Sequence, residues 1–256
     1  MGILKGGTLA LGAREGICLA IGVAAATMAV ARTGHAPCVA DCRSLGAAVE
    51  TLQVELAGRE GVDKLVAVVG NRHVEALLAN AGHGLGKGFL EQDFSDIPHV
   101  IDTNITGTLY LLHQLGARMR ADGRGRIPVT GSIPGFMPGS CQAVYNASKA
   151  FIDSFTAALR NEMKDTGVTV TCLMPGATDT EFFARADMLY TKVGTEKKMD
   201  PGEVAEIGFK AMEDGEADVV AGLKNKMQVV MSKILPSHVM AEQHRKQAAP
   251  GTAKET

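Results

Sequence analysis

The sequence contains no tryptophan, and aromatic residues make up only 4% of its 256 residues. Its hydrophobic core must therefore be built mainly from Ala, Val, Leu, Ile and Met side chains. The formal net charge is only −2, so the chain lacks the basic excess that indicates binding to nucleic acid. Apolar residues reach 46% and charged residues 21%, which is typical of a soluble globular protein large enough for a proper core.

Cysteine is scarce and scattered, and no CxxC pair occurs. An odd set of five fits free thiols in a reducing compartment better than a disulfide framework, so we expect a cytoplasmic protein. The seven histidines are also dispersed, and the spacing of His238 and His244 is unsuited to two ligands on one helix. We therefore predict no metal site. The five cysteines are Cys18, Cys38, Cys42, Cys141 and Cys172.

One apolar run, Gly16–Ala31, follows the basic residues Lys5 and Arg14 and could be taken for a signal peptide. Glu15 directly before the run argues against that interpretation. The run is also too short and too rich in Ala and Gly for a membrane span. We predict a buried helix behind a glycine turn.

Apolar runs alternate with helical patterns along the chain, which is typical of a parallel sheet with helices on both faces. The sequence therefore predicts one α/β domain over residues 1–256, a doubly wound sheet in three α/β/α layers. The predicted strands are Thr8–Leu11, Pro37–Asp41, Thr51–Leu56, Ala76–Ala79, Arg126–Thr130, Val168–Leu173 and Asp218–Ala221. The predicted helices are Gly16–Ala31, Gly61–Val69, Ile101–Met119, Gln142–Met163 and Pro201–Glu213.

Two later stretches have weaker periodicity. Residues 178–200 are polar and predict a flexible flap, to which Phe182, Phe183, Met188 and Tyr190 would add apolar contacts. The tail over residues 224–256 suits either an amphipathic helix on a membrane surface or a helix docked through its Met/Val stripe. We favour the docked helix, followed by a disordered end, AAPGTAKET.

Tyr145 and Lys149 lie four residues apart in a predicted helix, so their side chains project from the same face. A nearby cation lowers the pKa of a tyrosine, which can then exchange a proton with a substrate oxygen. The hydroxyl of Ser132, further upstream, could hold the same oxygen by a hydrogen bond. The spacing alone is weak evidence, because YxxxK also occurs on helices where Tyr packs and Lys is solvated.

Several segments resemble nucleotide-binding elements. A glycine turn after the first strand would let the backbone approach a pyrophosphate, although a turn without a ligand is the alternative. Asp41, at the end of the predicted second strand, favours NAD through the ribose diol, whereas Arg43 could hold the 2′-phosphate of NADP. The choice between them stays open. The candidate residues of the glycine turn are Gly12, Arg14, Gly16 and Ile17.

A small turn, Asn80-Ala81-Gly82, ends the predicted fourth strand, at the edge of the sheet where ligands bind in open α/β folds. Asn104 is a polar residue within an apolar helical pattern. It is either a satisfied core amide or a residue that orders a water near the site, and its position alone favours the core amide.

Together these residues resemble the short-chain dehydrogenase/reductase family, and the resemblance extends from the glycine turn to Thr180. It implies a Rossmann-type fold, a nicotinamide cofactor (NAD or NADP), and reversible oxidation of an alcohol to a ketone or aldehyde. It also implies a homodimer or homotetramer, for which the helix after Tyr145 offers an apolar stripe. That stripe consists of Ala150, Phe151, Phe155 and Ala158.

The resemblance also implies roles for single residues. Tyr145 would be the general acid/base, and Lys149 would bind the nicotinamide ribose and lower the pKa of the tyrosine. Ser132 would orient the substrate oxygen, and Asn104 would support a water-linked proton relay. Glu55-Leu56 stands where the family usually has an Asp followed by an apolar residue beside the adenine. The residues on the nicotinamide side would be Pro175, Gly176, Thr178 and Thr180.

The first third of the chain departs from the family pattern. Leu11 and Cys18 replace a Thr and a Gly of the glycine motif, and Pro37 falls within a strand expected to be internal. A non-catalytic nucleotide-binding or regulatory protein on the same fold is therefore the main alternative. A lyase, epimerase or dehydratase using the same Tyr–Lys pair is a further one.

Overall fold

The computed structural model describes residues 7–11, 26–31 and 48–253. Within these ranges, seven parallel strands form one sheet in the order β3-β2-β1-β4-β5-β6-β7. The chain reverses its direction of travel across the sheet between β3 and β4, so β1 and β4 flank the switch point where such sheets bind ligands. The strands are β1 Gly7–Leu11, β2 Ala26–Ala31, β3 Val49–Gln53, β4 Val74–Leu78, β5 Gly125–Thr130, β6 Val168–Met174 and β7 Asp218–Val220.

Helices connect and follow the strands. The segment α2, residues 96–122, is helical throughout, with π-helical turns at Asp102–Gly107 and Leu112–Gly116 between α-helical parts. Short 3₁₀ turns lie at Phe89–Glu91 and Ile133–Phe136. The other helices are α1 Arg59–Val69, α3 Ala143–Met163, α4 Phe182–Arg185, α5 Lys192–Thr195, α6 Pro201–Asp214, α7 Leu223–Ile234 and α8 Ser237–Ala248.

The sheet is covered on both faces, as the three-layer prediction requires. On one face, Leu77, Ile127 and Val170 pack in the main core with side chains from α1, α2 and α3. On the other face, Leu173 packs with α6 through residues such as Val204. Since side chains alternate along a strand, β6 contributes to both layers, with Val170 on one face and Leu173 on the other. The Rossmann-type α/β fold is confirmed.

The second strand differs from the sequence prediction. The predicted helix over Gly16–Ala31 is wrong at its end, because Ala26–Ala31 forms β2 between β1 and β3. Alanine favours helices, but the hydrogen-bonded ladders to two neighbouring strands outweigh that preference. Asp41 therefore does not end the second strand. The segment Pro37–Asp41 itself lies outside the described residues, and the conflict of a proline within an internal strand is removed.

Later elements follow the predictions closely, with shifted ends. The predicted third strand, Thr51–Leu56, is observed as Val49–Gln53. Downstream, α3 begins one residue later than predicted and ends at Met163 as predicted. The predicted helix Ile101–Met119 is the central part of the longer segment α2.

The tail differs from its prediction in two ways. Val229 of α7 and Met240 of α8 are buried, while Met227, Val230 and Met231 are exposed, so docking through the Met/Val stripe is wrong only for the exposed part of α7. The predicted disordered end is wrong as far as the described residues reach. Ala248 is 1% exposed, and the Thr252 hydroxyl accepts a hydrogen bond from the backbone of the α5 segment. These contacts offset the entropy cost of ordering the chain end.

The segment over residues 178–200 contains α4 and α5. Phe183, Ala186 and Met188 are buried there and form a small cluster with Ala248 of α8. Flexibility of this segment stays a prediction. Across the described parts of the chain, no helix is long and apolar enough to cross a membrane.

Candidate active site

A cavity of about 940 Å³ opens at the carboxyl ends of β4, β5 and β6. In parallel sheets this edge is where ligands bind, because the loops that follow the strands converge there. Most of the site residues predicted after β3 lie in its lining: Asn80, Gly82, Ser132, Tyr145, Lys149, Pro175, Gly176, Thr178 and Thr180. Among the predicted residues that are described, Ala81, Asn104, Glu55 and Leu56 lie outside the lining.

Ser132 follows the end of β5 and is 4% exposed. Its Oγ donates a hydrogen bond to the carbonyl oxygen of Pro175 at 3.3 Å. The neighbouring Ile133 amide donates to the same carbonyl at 3.1 Å. The turns after β5 and β6 are therefore tied together, and this contact places the serine hydroxyl beside the Pro175-Gly176 turn.

Tyr145 and Lys149 lie in the first two turns of α3, and both are buried. The Lys149 ammonium donates a hydrogen bond to the carbonyl oxygen of Thr130, at the end of β5, at 2.8 Å. Because a buried ammonium needs such polar partners, this contact holds the lysine side chain under the cavity. The ring of Tyr145 packs against the ring of Phe182, with centroids 5.1 Å apart. Both members of the predicted pair thus face one cavity.

Asn104 lies in the first π-helical turn of α2 and is 1% exposed. Its Oδ1 accepts a hydrogen bond from the His83 amide at 2.7 Å. Its Nδ2 donates to the His83 carbonyl at 3.0 Å and to Ser148 Oγ at 2.9 Å. Ser148 Oγ in turn donates to the Tyr145 carbonyl at 2.7 Å. The side chain therefore links the loop after β4 to α3, which matches the core-amide interpretation.

The Asn80-Ala81-Gly82 turn is held against β5. The Thr130 hydroxyl donates to Asn80 Oδ1 at 2.7 Å, and the Thr130 amide donates to the Ala79 carbonyl at 3.0 Å. Asn80 is buried, and Ala81 packs against the main core. The turn is thereby fixed at the edge of the cavity.

The family model for short chain dehydrogenases matches residues 8–188 of the chain. The chain belongs to the short-chain dehydrogenase/reductase family. It is an NAD(P)-dependent oxidoreductase that transfers a hydride between a nicotinamide cofactor and an alcohol or carbonyl substrate.

Individual relatives are consistent with this assignment. An uncharacterized oxidoreductase of Staphylococcus saprophyticus is 34% identical over 169 residues, which are 65% of this chain and 70% of the relative. A short-chain dehydrogenase from Sphingobium yanoikuyae, solved with NADPH, has a TM-score of 0.77 at 26% identity and covers 91% of this chain and 97% of its own. A family member from Burkholderia phymatum, solved with NAD, has a TM-score of 0.82 at 20% identity, covering 98% and 99%. The last likeness shows the fold alone, and none of the three supports the non-catalytic alternative.

The cavity of this dehydrogenase/reductase suits the nicotinamide end of the cofactor. Its lining combines the Lys149 ammonium, the Thr178 and Thr180 hydroxyls and the Asn80 amide, which are groups that can bond ribose hydroxyls and a carboxamide. The Thr178 hydroxyl donates to the Gly176 carbonyl at 3.1 Å, which fixes the turn after β6. The residues present therefore fit the cofactor that the family uses.

Residues predicted for the adenine side are only partly described. Glu55 and Leu56 follow β3, and Leu56 is 7% exposed within the main core. The Glu55 carboxylate accepts a hydrogen bond from the Ala57 amide at 3.2 Å. The other residues predicted near the cofactor lie outside the described ranges, as does Cys18 of the glycine motif. These predicted residues are Gly12, Arg14, Gly16, Ile17, Asp41 and Arg43.

Sequence reasoning missed Asp153, which lies one helical turn after Lys149 on the inner side of α3. Its Oδ1 accepts a hydrogen bond from the Ser132 amide at 3.2 Å, and the Cys172 thiol lies 3.7 Å from the same oxygen. Burial raises the pKa of Asp153 to about 6, although the Lys149 charge and the Ser132 hydrogen bond oppose the shift. The i, i+4 spacing to Lys149 is the signal that could have identified this carboxylate.

The far wall of the cavity, formed by the C-terminal helix α8, was also missed. Met240, Gln243 and His244 contribute to the lining. The His244 ring Nδ1 lies 2.8 Å from the Ser140 carbonyl oxygen, and burial lowers the pKa of this histidine. Nothing in the polar sequence of α8 indicates a contact with the site, because the contact depends on how the helix folds back.

Proposed function

We propose that Ser132, Tyr145 and Lys149 form the catalytic group of this oxidoreductase. The observation that carries the proposal is that their three side chains line one cavity, at the sheet edge where the family binds nicotinamide. The bound cofactor supplies or accepts the hydride. Tyr145 gives its phenolic proton to the carbonyl oxygen during reduction and takes it back during oxidation.

In this arrangement the other two residues prepare the proton transfer. The Ser132 hydroxyl exchanges its bond to the Pro175 carbonyl for a hydrogen bond to the substrate oxygen, and so places that oxygen at the phenol. The Lys149 ammonium stabilises the phenolate that remains after the proton has left. Asn104 acts at longer range, by holding the loop after β4 and the backbone of α3 in register.

The test is Tyr145→Phe, assayed by NADPH or NADH oxidation with a panel of ketones and aldehydes. Without the phenol, we expect kcat to fall by about 10² to 10⁴, the usual contribution of a general acid. Binding of the reduced nucleotide, followed by its fluorescence, should be retained. Tyr110→Phe is the matched control, because that hydroxyl bonds Asp63 on the surface. A Tyr145→Phe enzyme with unchanged kcat would refute the assignment.

For the cofactor, we propose a preference for NADP over NAD. The second strand ends at Ala31, and the next residue in the sequence is Arg32. An arginine after this strand accommodates the 2′-phosphate, whereas an acid there selects the ribose diol of NAD. Asp41, which favoured NAD, is ten positions further along the chain than the end of β2.

Comparing the dissociation constants of NADPH and NADH tests this preference. Arg32→Ala should weaken NADPH binding about tenfold or more, because one charge-assisted phosphate contact is lost, and leave NADH binding unchanged. Arg43→Ala is the matched control. If Arg43→Ala has the larger effect, the assignment of the phosphate contact to Arg32 fails, and if the wild type binds NADH more tightly, the preference for NADP fails.

For the substrate, we propose a carbonyl compound or alcohol with an apolar body. Support comes from apolar side chains in the cavity lining, namely Met137, Val193 and Phe182, whose ring packs against that of Tyr145. We further propose a homodimer or homotetramer formed through the exposed stripe on α3. Cytoplasmic location is proposed from the free thiols Cys141 and Cys172 in the described part of the chain.

A further inference from the structure

The helix α7 exposes a row of large apolar side chains. Leu223 is 76% exposed, Met227 63%, Val230 55% and Ile234 71%. Their spacing of i, i+4, i+7 and i+11 places all four along one stripe of the helix. Met231, which is 46% exposed, extends the stripe on one side. Such a contiguous exposed row marks an interaction surface more often than a scatter of single residues does.

Met227, Val230 and Ile234 face away from the body of the protein, whereas Leu223 and Lys224 lie at the rim of the cavity. Val229 is the buried residue of α7, and Asn225 and Ser232 are half-buried. At about 100° per residue, these three positions lie on the side of the helix opposite to the Leu223–Ile234 row. The helix is therefore anchored through one side and presents its apolar stripe outward.

Lysines flank the stripe on both sides. Lys224 lies along one border, and Lys226 and Lys233 lie along the other. The helix sequence LKNKMQVVMSKI contains no acidic residue. The ammonium of Lys233 also lies 5.5 Å from the ring centroid of Phe136. An apolar stripe between rows of lysine is the arrangement that binds a bilayer surface, with the stems in the interface and the ammonium groups at the headgroups.

We propose that α7 docks this enzyme on the surface of an anionic membrane. The helix lies flat, its apolar stripe enters the boundary between headgroups and acyl chains, and its three lysines contact anionic lipid. The lysines of α7 favour an anionic membrane over a second copy of the chain as the binding partner of the stripe. A two-fold contact of α7 with itself would bring six lysines together, with no acidic partner in either helix. The proposal does not depend on which residues are catalytic.

Vesicle co-sedimentation of the full-length enzyme tests the proposal. Wild type should bind vesicles that contain phosphatidylglycerol, bind pure phosphatidylcholine vesicles much more weakly, and be released by salt. Met227→Glu with Ile234→Glu should abolish binding, because two charges enter the apolar stripe. Lys226→Glu with Lys233→Glu should weaken binding by about fivefold or more for each lysine replaced. Leu90→Glu is the control for an exposed apolar residue elsewhere, at 93% exposure.

Neither substituted pair lies in the cavity lining, so nucleotide binding should stay at the wild-type level and report correct folding. Failure of the folded wild type to bind anionic vesicles would overturn the proposal, as would equal binding to both vesicle types. Light scattering after size exclusion tests whether the stripe instead joins two copies of the chain. If the Met227/Ile234 variant dissociates a wild-type oligomer, the stripe is an interface between copies and not a lipid-binding surface.

Discussion

At the scale of single residues, Asp153 connects stability to the site. Its Oδ2 is buried and has no hydrogen-bond partner, while Oδ1 holds the Ser132 amide. The Asp153 side chain also fills the space beside two glycines. A Cβ added to Gly131 would stand 1.9 Å from Asp153 Oδ1, and one added to Gly135 would stand 2.2 Å from Oδ2. The carboxylate therefore packs against both glycines of the turn that carries Ser132.

The raised pKa of Asp153, about 6 against 3.8 for a free side chain, makes a prediction about stability. The folded protein binds the Asp153 proton more tightly than the unfolded chain does. The stability gained from this proton is therefore fully present below pH 3.8 and is lost as the pH rises through 6. Relative to Asp153→Asn, which cannot ionise, the wild type should lose about 2–3 kcal/mol of unfolding free energy between pH 4 and pH 7.

Urea unfolding of both proteins across that pH range measures the difference. Asp214→Asn, a change at an exposed carboxylate, is the control for the removal of a surface charge. A constant difference between wild type and Asp153→Asn would mean that Asp153 ionises in the folded state as it does in the unfolded chain.

At the scale of elements, two close backbone contacts fix α1 and α2 against the segment after β3. A Cβ on Gly61 of α1 would stand 1.7 Å from the Glu55 carbonyl oxygen, and one on Gly107 of α2 would stand 1.8 Å from that of Leu56. The Leu56 backbone thus supports α2, the helix that carries Asn104, and the Glu55 backbone supports α1. These contacts give the pair a structural role in addition to any contact with adenine.

We predict that Gly107→Ala destabilises the protein by about 1–3 kcal/mol, because the added methyl meets backbone that cannot move alone. The conformation itself suits alanine, so the cost is purely steric. Gly58→Ala is the matched control, since a Cβ there has nothing within 4 Å. Chemical denaturation of the two variants measures the difference, and equal stability would show that α2 shifts freely to accommodate the methyl group.

At the scale of the whole molecule, α3 serves two surfaces. Its inner side carries Tyr145, Lys149 and Ile152, all buried. Its outer side carries Phe151, 42% exposed, stacked on the ring of Phe155 with centroids 6.2 Å apart. An oligomer formed through this outer side would restrain the helix that carries the proposed catalytic pair, Tyr145 and Lys149.

We predict that Phe151→Asp lowers the molar mass measured by light scattering after size exclusion, because a charge enters the apolar contact. Nucleotide affinity in the resulting smaller species should stay near the wild-type value. Val68→Asp, on α1 and 44% exposed in the wild type, is the control and should leave the mass unchanged. An unchanged oligomer in Phe151→Asp would place the interface elsewhere.

Much of this molecule follows from local pattern. The alternation of apolar runs with helical periods indicates the parallel sheet, and the spacing of Tyr145 and Lys149 on one helix puts both side chains on one face. Ser132 ends up in the same cavity because β5 and α3 meet at the carboxyl edge of the sheet. These features depend on neighbours in sequence or on rules shared by all parallel sheets, and a single sequence carries that information.

Other features depend on partners far along the chain. Ala26–Ala31 has a composition suited to helix, and only pairing with β1 and β3 makes it a strand. The polar helix α8 becomes a wall of the cavity because Ala248 and Thr252 contact the α4–α5 segment. Burial of Asp153 and exposure of the α7 stripe are likewise properties of packing. Fold class and chemistry were therefore readable from the residues, whereas strand position, cavity walls and outward surfaces were decided by long-range contacts that no local pattern encodes.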